Sequence, residues 1–172
     1  MSVLSREELR AALAADPPLV EGIDPQVQLQ PSGIDLRVER VQRLTSPGLL
    51  GAADNVREPA AREELAPDVD GWWSLSQGAY VITYREKVNI PLDLIGLSWP
   101  RSSLPRSGVA INGAVWDPGY SGRGEAMLSV VNPRGFRLQR GARVLQIVFF
   151  RLSSATVEGY RGRYHGENAT RE

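Results

Sequence analysis

Two short segments concentrate the side chains able to do chemistry. Residues 101–108, Arg101-Ser102-Ser103-Leu104-Pro105-Arg106-Ser107-Gly108, bring together two arginines and three serine hydroxyls. Guanidinium forks supply charge to an oxyanion, while hydroxyls and backbone N–H groups fill its remaining lone pairs. The same composition also describes an ordinary solvated loop. Residues 113–122 run through Trp116 into Asp117-Pro118-Gly119-Tyr120-Ser121-Gly122. Pro118-Gly119 suits the centre of a type II turn. Asp117 is therefore expected at a strand end, either polarising a water or capping its own turn. Asp35, in Ile34-Asp35-Leu36-Arg37, reads as the polar face of an edge strand with Arg37 as its partner. Gln146 interrupts the apolar run Val144-Leu145-Gln146-Ile147-Val148, where a polar side chain needs a protein or ligand partner.

Scarcity excludes other chemistries. Lys87 is the only lysine among 20 Lys+Arg, and Val88 follows it with no Gly-rich loop before, so there is no GxxxxGK[ST] phosphate loop. His165 is the only histidine, and cysteine is absent. Cysteine nucleophiles, disulfides and Cys/His zinc sites are excluded. A Ser-His-Asp triad would depend on a histidine in the C-terminal tail. The 20 Asp+Glu balance the 20 Lys+Arg, which gives no basic surplus for nucleic acid or an anionic membrane. No apolar run approaches the ~18 residues of a membrane span and no signal-peptide pattern opens the chain, so a cytoplasmic protein is expected.

The elements that must position these residues are mostly strands. Ser5-Arg6-Glu7-Glu8 is a capping box, and Leu9, Ala12 and Leu13 continue a short helix that Asp16-Pro17-Pro18 stops. Ile34, Leu36 and Val38 alternate with Asp35, Arg37 and Glu39 as a half-buried strand. Residues 45–71, rich in Pro, Gly and charge, read as a loop or arm, with a helical turn near 60–65. Strands are predicted at 72–75, 79–84, 87–90, 94–99, 109–115, 126–131, 136–138 and 142–152. Frequent Gly, Pro and Asn between them give the pattern of a sandwich or jelly roll. Residues 1–158 form one all-β domain in this reading, and 159–172 a flexible polar tail.

Taken in order, these pieces resemble the superfamily that unites trimeric dUTP diphosphatases with metal-independent dCTP deaminases. Gln30-Pro31-Ser32-Gly33-Ile34-Asp35-Leu36-Arg37 is similar to the deaminase start QPSSIDLRL. Residues 101–108 match RSSLARxG, with Pro105 where alanine is usual. Residues 117–122 resemble DPGWxG of the deaminases and IDxDYxG of the diphosphatases, and residues 141–146 resemble GDRIAQL. The resemblance implies a distorted jelly roll that assembles as a homotrimer with active sites shared between subunits. It implies that Arg101, Ser102, Ser103, Arg106 and Gln146 bind a triphosphate. The hairpin through Asn112 would read the pyrimidine, Tyr120 would pack under the deoxyribose, and Asp117 would orient water. Tyr160 and Arg163 fall in the segment that closes over substrate, where Glu167 replaces a glutamine. Mg²⁺ would ride on the phosphates, with Asp35 at most holding a metal-bound water.

The family holds two chemistries. Deamination requires an acid–base group beside the cytosine ring. In the deaminases a glutamate of VLEFYN supplies it, and here that position is Ser129 in Met127-Leu128-Ser129-Val130-Val131-Asn132. Glu125, four residues earlier, is roughly 13 Å away along a strand at ~3.3 Å per residue. Diphosphatase chemistry needs only water aligned on the α-phosphorus and charge neutralisation, so the expected activity is hydrolysis of dUTP to dUMP and pyrophosphate. This would lower dUTP and supply dUMP for thymidylate synthesis. dCTP deamination, alone or combined with dUTP hydrolysis, is the alternative. A silent nucleotide sensor on the same fold is a third reading, against which the retained Asp117 and arginine segment stand.

Overall fold

The computed structural model describes residues 2–53 and 55–169. Helix α1 (Arg6–Leu13) starts where the capping box places it: Ser5 Oγ accepts from Glu8 N (3.3 Å) and Glu8 Oε2 accepts from Ser5 N (2.8 Å). Leu9 anchors its inner face and is fully buried. Two short elements follow, strand β1 (Val20–Glu21) and helical turn α2 (Pro25–Gln28), before the eleven-residue strand β2 (Ile34–Leu44).

Residues 45–71 contain three strands, β3 (Leu49–Leu50), β4 (Arg57–Glu58) and β5 (Arg62–Glu64). The helical turn expected near 60–65 does not form, because β5 pairs with β2 through Gln42↔Glu64, Arg43↔Glu63 and Leu44↔Arg62. The ladder satisfies backbone groups that one isolated helical turn would leave open. Next come β6 (Trp72–Leu75), β7 (Gly78–Tyr84), β8 (Lys87–Asn89) and β9 (Leu94–Pro100). Beyond the helical turn α3 (Ser103–Arg106) lie β10 (Val109–Asn112), β11 (Ser121–Gly122), β12 (Glu125–Val130), β13 (Phe136–Gln139) and β14 (Arg143–Arg151). The strand expected over 109–115 thus ends at Asn112, and residues 113–115 leave the ladder.

The main sheet runs β10-β12-β7-β2-β14-β9, and its two ends lie against one another, so it closes nearly into a barrel. Smaller ladders, β1-β8-β11, β13-β6 and β3-β4, accompany it. The fold is the all-β class expected from the strand pattern and the distorted jelly roll implied by the family resemblance, with its short N-terminal helix. Period-two alternation sets the core: Ala126, Leu128 and Val130 of β12 and Leu145, Ile147 and Phe149 of β14 are buried. No helix among the described residues is long and apolar enough to cross a membrane.

β2 is a central strand, and this corrects the expectation for Asp35. The carboxylate is 2 % exposed, and it is approached by Arg101 and Arg143 rather than Arg37. Arg37 instead meets Glu86, which is fully buried and accepts from Arg37 Nε (2.6 Å), Arg37 N (2.8 Å) and Gln28 Nε2 (3.0 Å). Removing one partner of a buried ion pair strands the other. Glu86→Ala is expected to lower the unfolding free energy by about 3–5 kcal/mol in denaturant titration. Glu63→Ala, which breaks the exposed pair with Arg43, should cost no more than about 1 kcal/mol.

Candidate active site

The turn at 117–120 forms as the sequence predicts. Tyr120 N donates to the Asp117 carbonyl (3.1 Å), and Gly119 takes a positive φ of 81°, as the third position of a type II turn requires. A Cβ at Gly119 would also lie 2.6 Å from Gly159 Cα, so this glycine lets the C-terminal segment approach the turn. Tyr160 N donates to the Pro118 carbonyl at 2.7 Å there. The Trp116 ring beneath the turn is buried and meets Tyr120 edge-on at 5.4 Å between centroids. These contacts pin an otherwise exposed Asp117.

Asp117, Tyr120, Tyr160, Tyr164 and Glu167 line a cleft of about 130 Å³. A neighbouring hollow of about 370 Å³ shares Gly113, Ala114, Glu125, Tyr164 and Glu167 with it and adds Asn112 and Arg62. Asn112, Asp117, Tyr120 and Tyr160 are therefore brought together on one continuous surface. Arg163, expected to join them, points its guanidinium at the Arg57 carbonyl (3.4 Å) and lines neither hollow. Its neighbour Tyr164 lines both.

Arg101, Ser102, Ser103, Arg106 and Gln146 form a second group outside this cleft. Arg101 Nε lies 3.2 Å from Asp35 Oδ2, and Arg143 Nη1 and Gln30 Nε2 donate to the same oxygen at 3.1 and 3.2 Å. Gln146 faces Asp35 on one side of β14 and Trp99 on the other. It has no side-chain hydrogen bond among the described residues. Ser102, Ser103 and Arg106 are exposed around α3, with no ion pair at Arg106 among the described residues. The candidate residues thus fall into a cleft and a separate cationic turn.

A family model described as dCTP deaminase-like matches residues 3–152. The chain belongs to the dCTP deaminase-like family. Relatives of this dCTP deaminase-like chain include a probable deoxyuridine 5'-triphosphate nucleotidohydrolase of Methanosarcina mazei, 40 % identical over 98 % of this chain and 99 % of that protein. One of the same name from Aeropyrum pernix is 42 % identical over 81 % of this chain and 86 % of its own. The solved structure of 2'-deoxycytidine 5'-triphosphate deaminase from Agrobacterium tumefaciens superposes with a TM-score of 0.64 at 21 % identity, covering 88 % of this chain and 49 % of that one. That likeness establishes the fold.

Within this dCTP deaminase-like scaffold the acid groups are arranged unevenly. Ser129 sits mid-ladder opposite Ala110 and Ala79 and does not line the cleft. Glu125, on the same strand, does line it. Both Glu125 oxygens are engaged: Oε2 accepts from Arg62 Nη1, and Oε1 accepts from Thr83 Oγ1 (3.3 Å) and Asn168 Nδ2 (3.4 Å). Arg62 lines the hollow beside the cleft, a placement that the sequence hides because it lies in a segment that reads as a solvated arm.

Glu167 Oε1 accepts from Tyr120 Oη at 2.8 Å. Burial pushes the Glu167 carboxyl above the usual carboxylate range, opposed by the Tyr120 bond and reinforced by the Glu125 charge. Burial, then the Glu167 charge beside it, pushes the Tyr120 phenol far above its ordinary range, so it stays a donor. A carboxyl whose folded-state pKa is raised binds its proton more readily folded than unfolded, so its contribution to stability grows as pH falls through that raised value. Glu167→Gln keeps an acceptor and removes the half-buried charge. Its melting temperature is expected to equal or exceed the wild type's at pH 8, with the difference shrinking on acidification toward pH 5. A variant less stable than wild type at pH 8 would contradict this.

Proposed function

We propose that the chain hydrolyses dUTP to dUMP and pyrophosphate at sites completed by a second copy of itself. The observation that carries this reading is the pinned, exposed Asp117 carboxylate in a cleft with Tyr120, beside the hollow that Asn112 lines, combined with serine where deamination needs a carboxylate. Asp117 holds a water and takes its proton as the water oxygen bonds to the α-phosphorus. The bond from that phosphorus to the bridging oxygen toward the β-phosphorus breaks, and pyrophosphate leaves with the electron pair. The Tyr120 ring packs under the deoxyribose, where a 2′-hydroxyl does not fit, and the backbone beyond Asn112 meets the pyrimidine edge. Tyr160, and Arg163 once it leaves the Arg57 carbonyl, complete the cover over the nucleotide.

Arg106, Arg101, the Ser102 and Ser103 hydroxyls and Gln146 bind the triphosphate oxygens. Among the described residues no three His, Cys, Asp or Glu side chains gather to hold a metal, which fits a cation carried in by the substrate. Mg²⁺ on the phosphates supplies charge neutralisation and fixes their conformation. Asp35 Oδ1, the carboxylate oxygen without a protein donor among the described residues, is available to a water on that cation.

Assembly as a trimer accounts for the division of the candidate residues. A closed ring of heterologous contacts sets one face of each copy against a different face of the next, so a cleft and a cationic turn from two chains can form one site. Trp99 and Val131, 54 % and 63 % exposed, and the exposed Val115 beside the cleft are apolar side chains that such a contact would cover. The presence of Glu125 in the cleft supports a second reading, deamination of dCTP with Glu125 as the acid–base group, although Arg62 holds it as an ion pair.

Incubation with Mg²⁺ and, separately, dUTP and dCTP is expected to release dUMP and pyrophosphate from dUTP and to leave dCTP intact. Asp117→Ala should lower turnover by about two orders of magnitude or more with an unchanged melting temperature. Conversion of dCTP to a uridine nucleotide would transfer the chemistry to Glu125, and full activity in Asp117→Ala would remove the assigned base.

A further inference from the structure

A third cavity, of about 810 Å³, abuts the same C-terminal segment at Gly166, Asn168 and Ala169. Arg40, Arg85, Arg123 and Arg140 line it, against the carboxylates Glu39 and Glu64. Glu39 is shared by Arg85 and Arg140. Burial works against its ionisation, yet those two arginines hold its carboxyl below the usual range, a sign of the positive field there. Arg40 and Arg123 have no carboxylate within 4.0 Å among the described residues. Arg40 gives Nη2 to Asn168 Oδ1 (2.6 Å), and Arg123 gives Nη1 to the Asn168 and Ala169 carbonyls. Arg40 Nε and Nη1 and Arg123 Nη2 make no bond to the described residues.

Tyr84 gives an independent indication. It is 1 % exposed and lines both this cavity and the cleft, and its hydroxyl has no partner among the described residues. A buried O–H without an acceptor is unfavourable, and an oxygen of a ligand in either of these two hollows would supply one. We propose that this cavity binds a phosphate-class dianion, free or carried on a nucleotide, gripped by Arg40 and Arg123 with Arg85 and Arg140 behind them. The excess of guanidinium over carboxylate and the unused forked donors fit tetrahedral oxyanions. Arg40 and Arg123 already hold Asn168 and Ala169. The bound anion would therefore fasten the segment that carries Tyr160, Tyr164 and Glu167 against the cleft.

The site is separate from the cationic turn at 101–106, and its test does not depend on turnover. Isothermal titration of the full chain with sodium pyrophosphate in metal-free buffer is expected to show two binding events per chain. Arg40→Gln, which keeps a donor for Asn168, should weaken one event at least tenfold, and Arg106→Ala should weaken the other. Arg40→Lys, retaining the charge, should recover part of the first. Competition by dUMP at the Arg40-dependent event would assign a nucleotide-borne phosphate, and its failure to compete would assign the free oxyanion. A single event per chain abolished by Arg106→Ala, or unchanged binding in a folded Arg40→Gln, would overturn the proposal.

Discussion

Strand β2 serves two pairings at once, and the charged groups around Asp35 and around Arg40 both depend on how it does so. Its first half pairs with β14 through Ile34, Asp35 and Leu36, and its second half pairs with β7 from Val38 to Arg43. The register shifts between Val38 and Arg40. An extra residue in a ladder bends the strand and lets adjacent side chains share a side. The fully buried residues accordingly run Ile34, Leu36, Val38 and then Val41, skipping out of period two. Before the shift, Asp35 meets the arginines of the cationic turn and of β14. After it, neighbouring Glu39 and Arg40 line one basic cavity. The buried Glu86, bonded to the Arg37 backbone and side chain, locks the strand between these two zones.

The charge balance around Asp35 shapes the surroundings of the cationic turn. Burial pushes its carboxyl above the ordinary range, while Arg101 and Arg143 pull the other way. Arg101 therefore carries a compensated charge, and Arg106, exposed and without an ion pair among the described residues, is the stronger electrostatic feature of the turn. By contrast, Asp117 owes its place to backbone geometry rather than to charged partners. A tight turn, the Trp116 ring beneath it and the C-terminal segment across Gly119 hold it at the cleft. Tyr120 and Glu167 tie that segment down, so the groups that would meet the nucleoside also fasten the cover over it.

Much of this was legible in the sequence where the signal is local. The capping box at Ser5–Glu8, the period-two runs of β12 and β14 and the Pro118-Gly119 turn each encode their structure within a few residues. The three strands inside 45–71 were hidden, because charged and proline-rich composition resembles a loop and only pairing with β2 makes β5 a strand. Asp35 was misplaced for a related reason. Alternation says which side of a strand a residue takes, but not that Arg101, Arg143 and Gln30 will cover that side. Arg62 and Tyr164 escaped because no local pattern marks them; they reach the cleft through tertiary packing. That Arg106 does not line the cleft with Asp117 likewise has no counterpart in chain order.

The central claim, that one copy's cleft works with another copy's cationic turn, is tested most directly by subunit mixing. Asp117→Ala and Arg106→Ala proteins, each inactive on dUTP alone, would be co-refolded in equal amounts and assayed for dUMP release. If the halves come from different copies, random assembly restores about a quarter of the wild-type sites, since half the clefts and half the turns are intact. Activity that stays at the level of the separate variants, in a mixture shown to have exchanged subunits, would place both halves of each site in one chain and contradict the account.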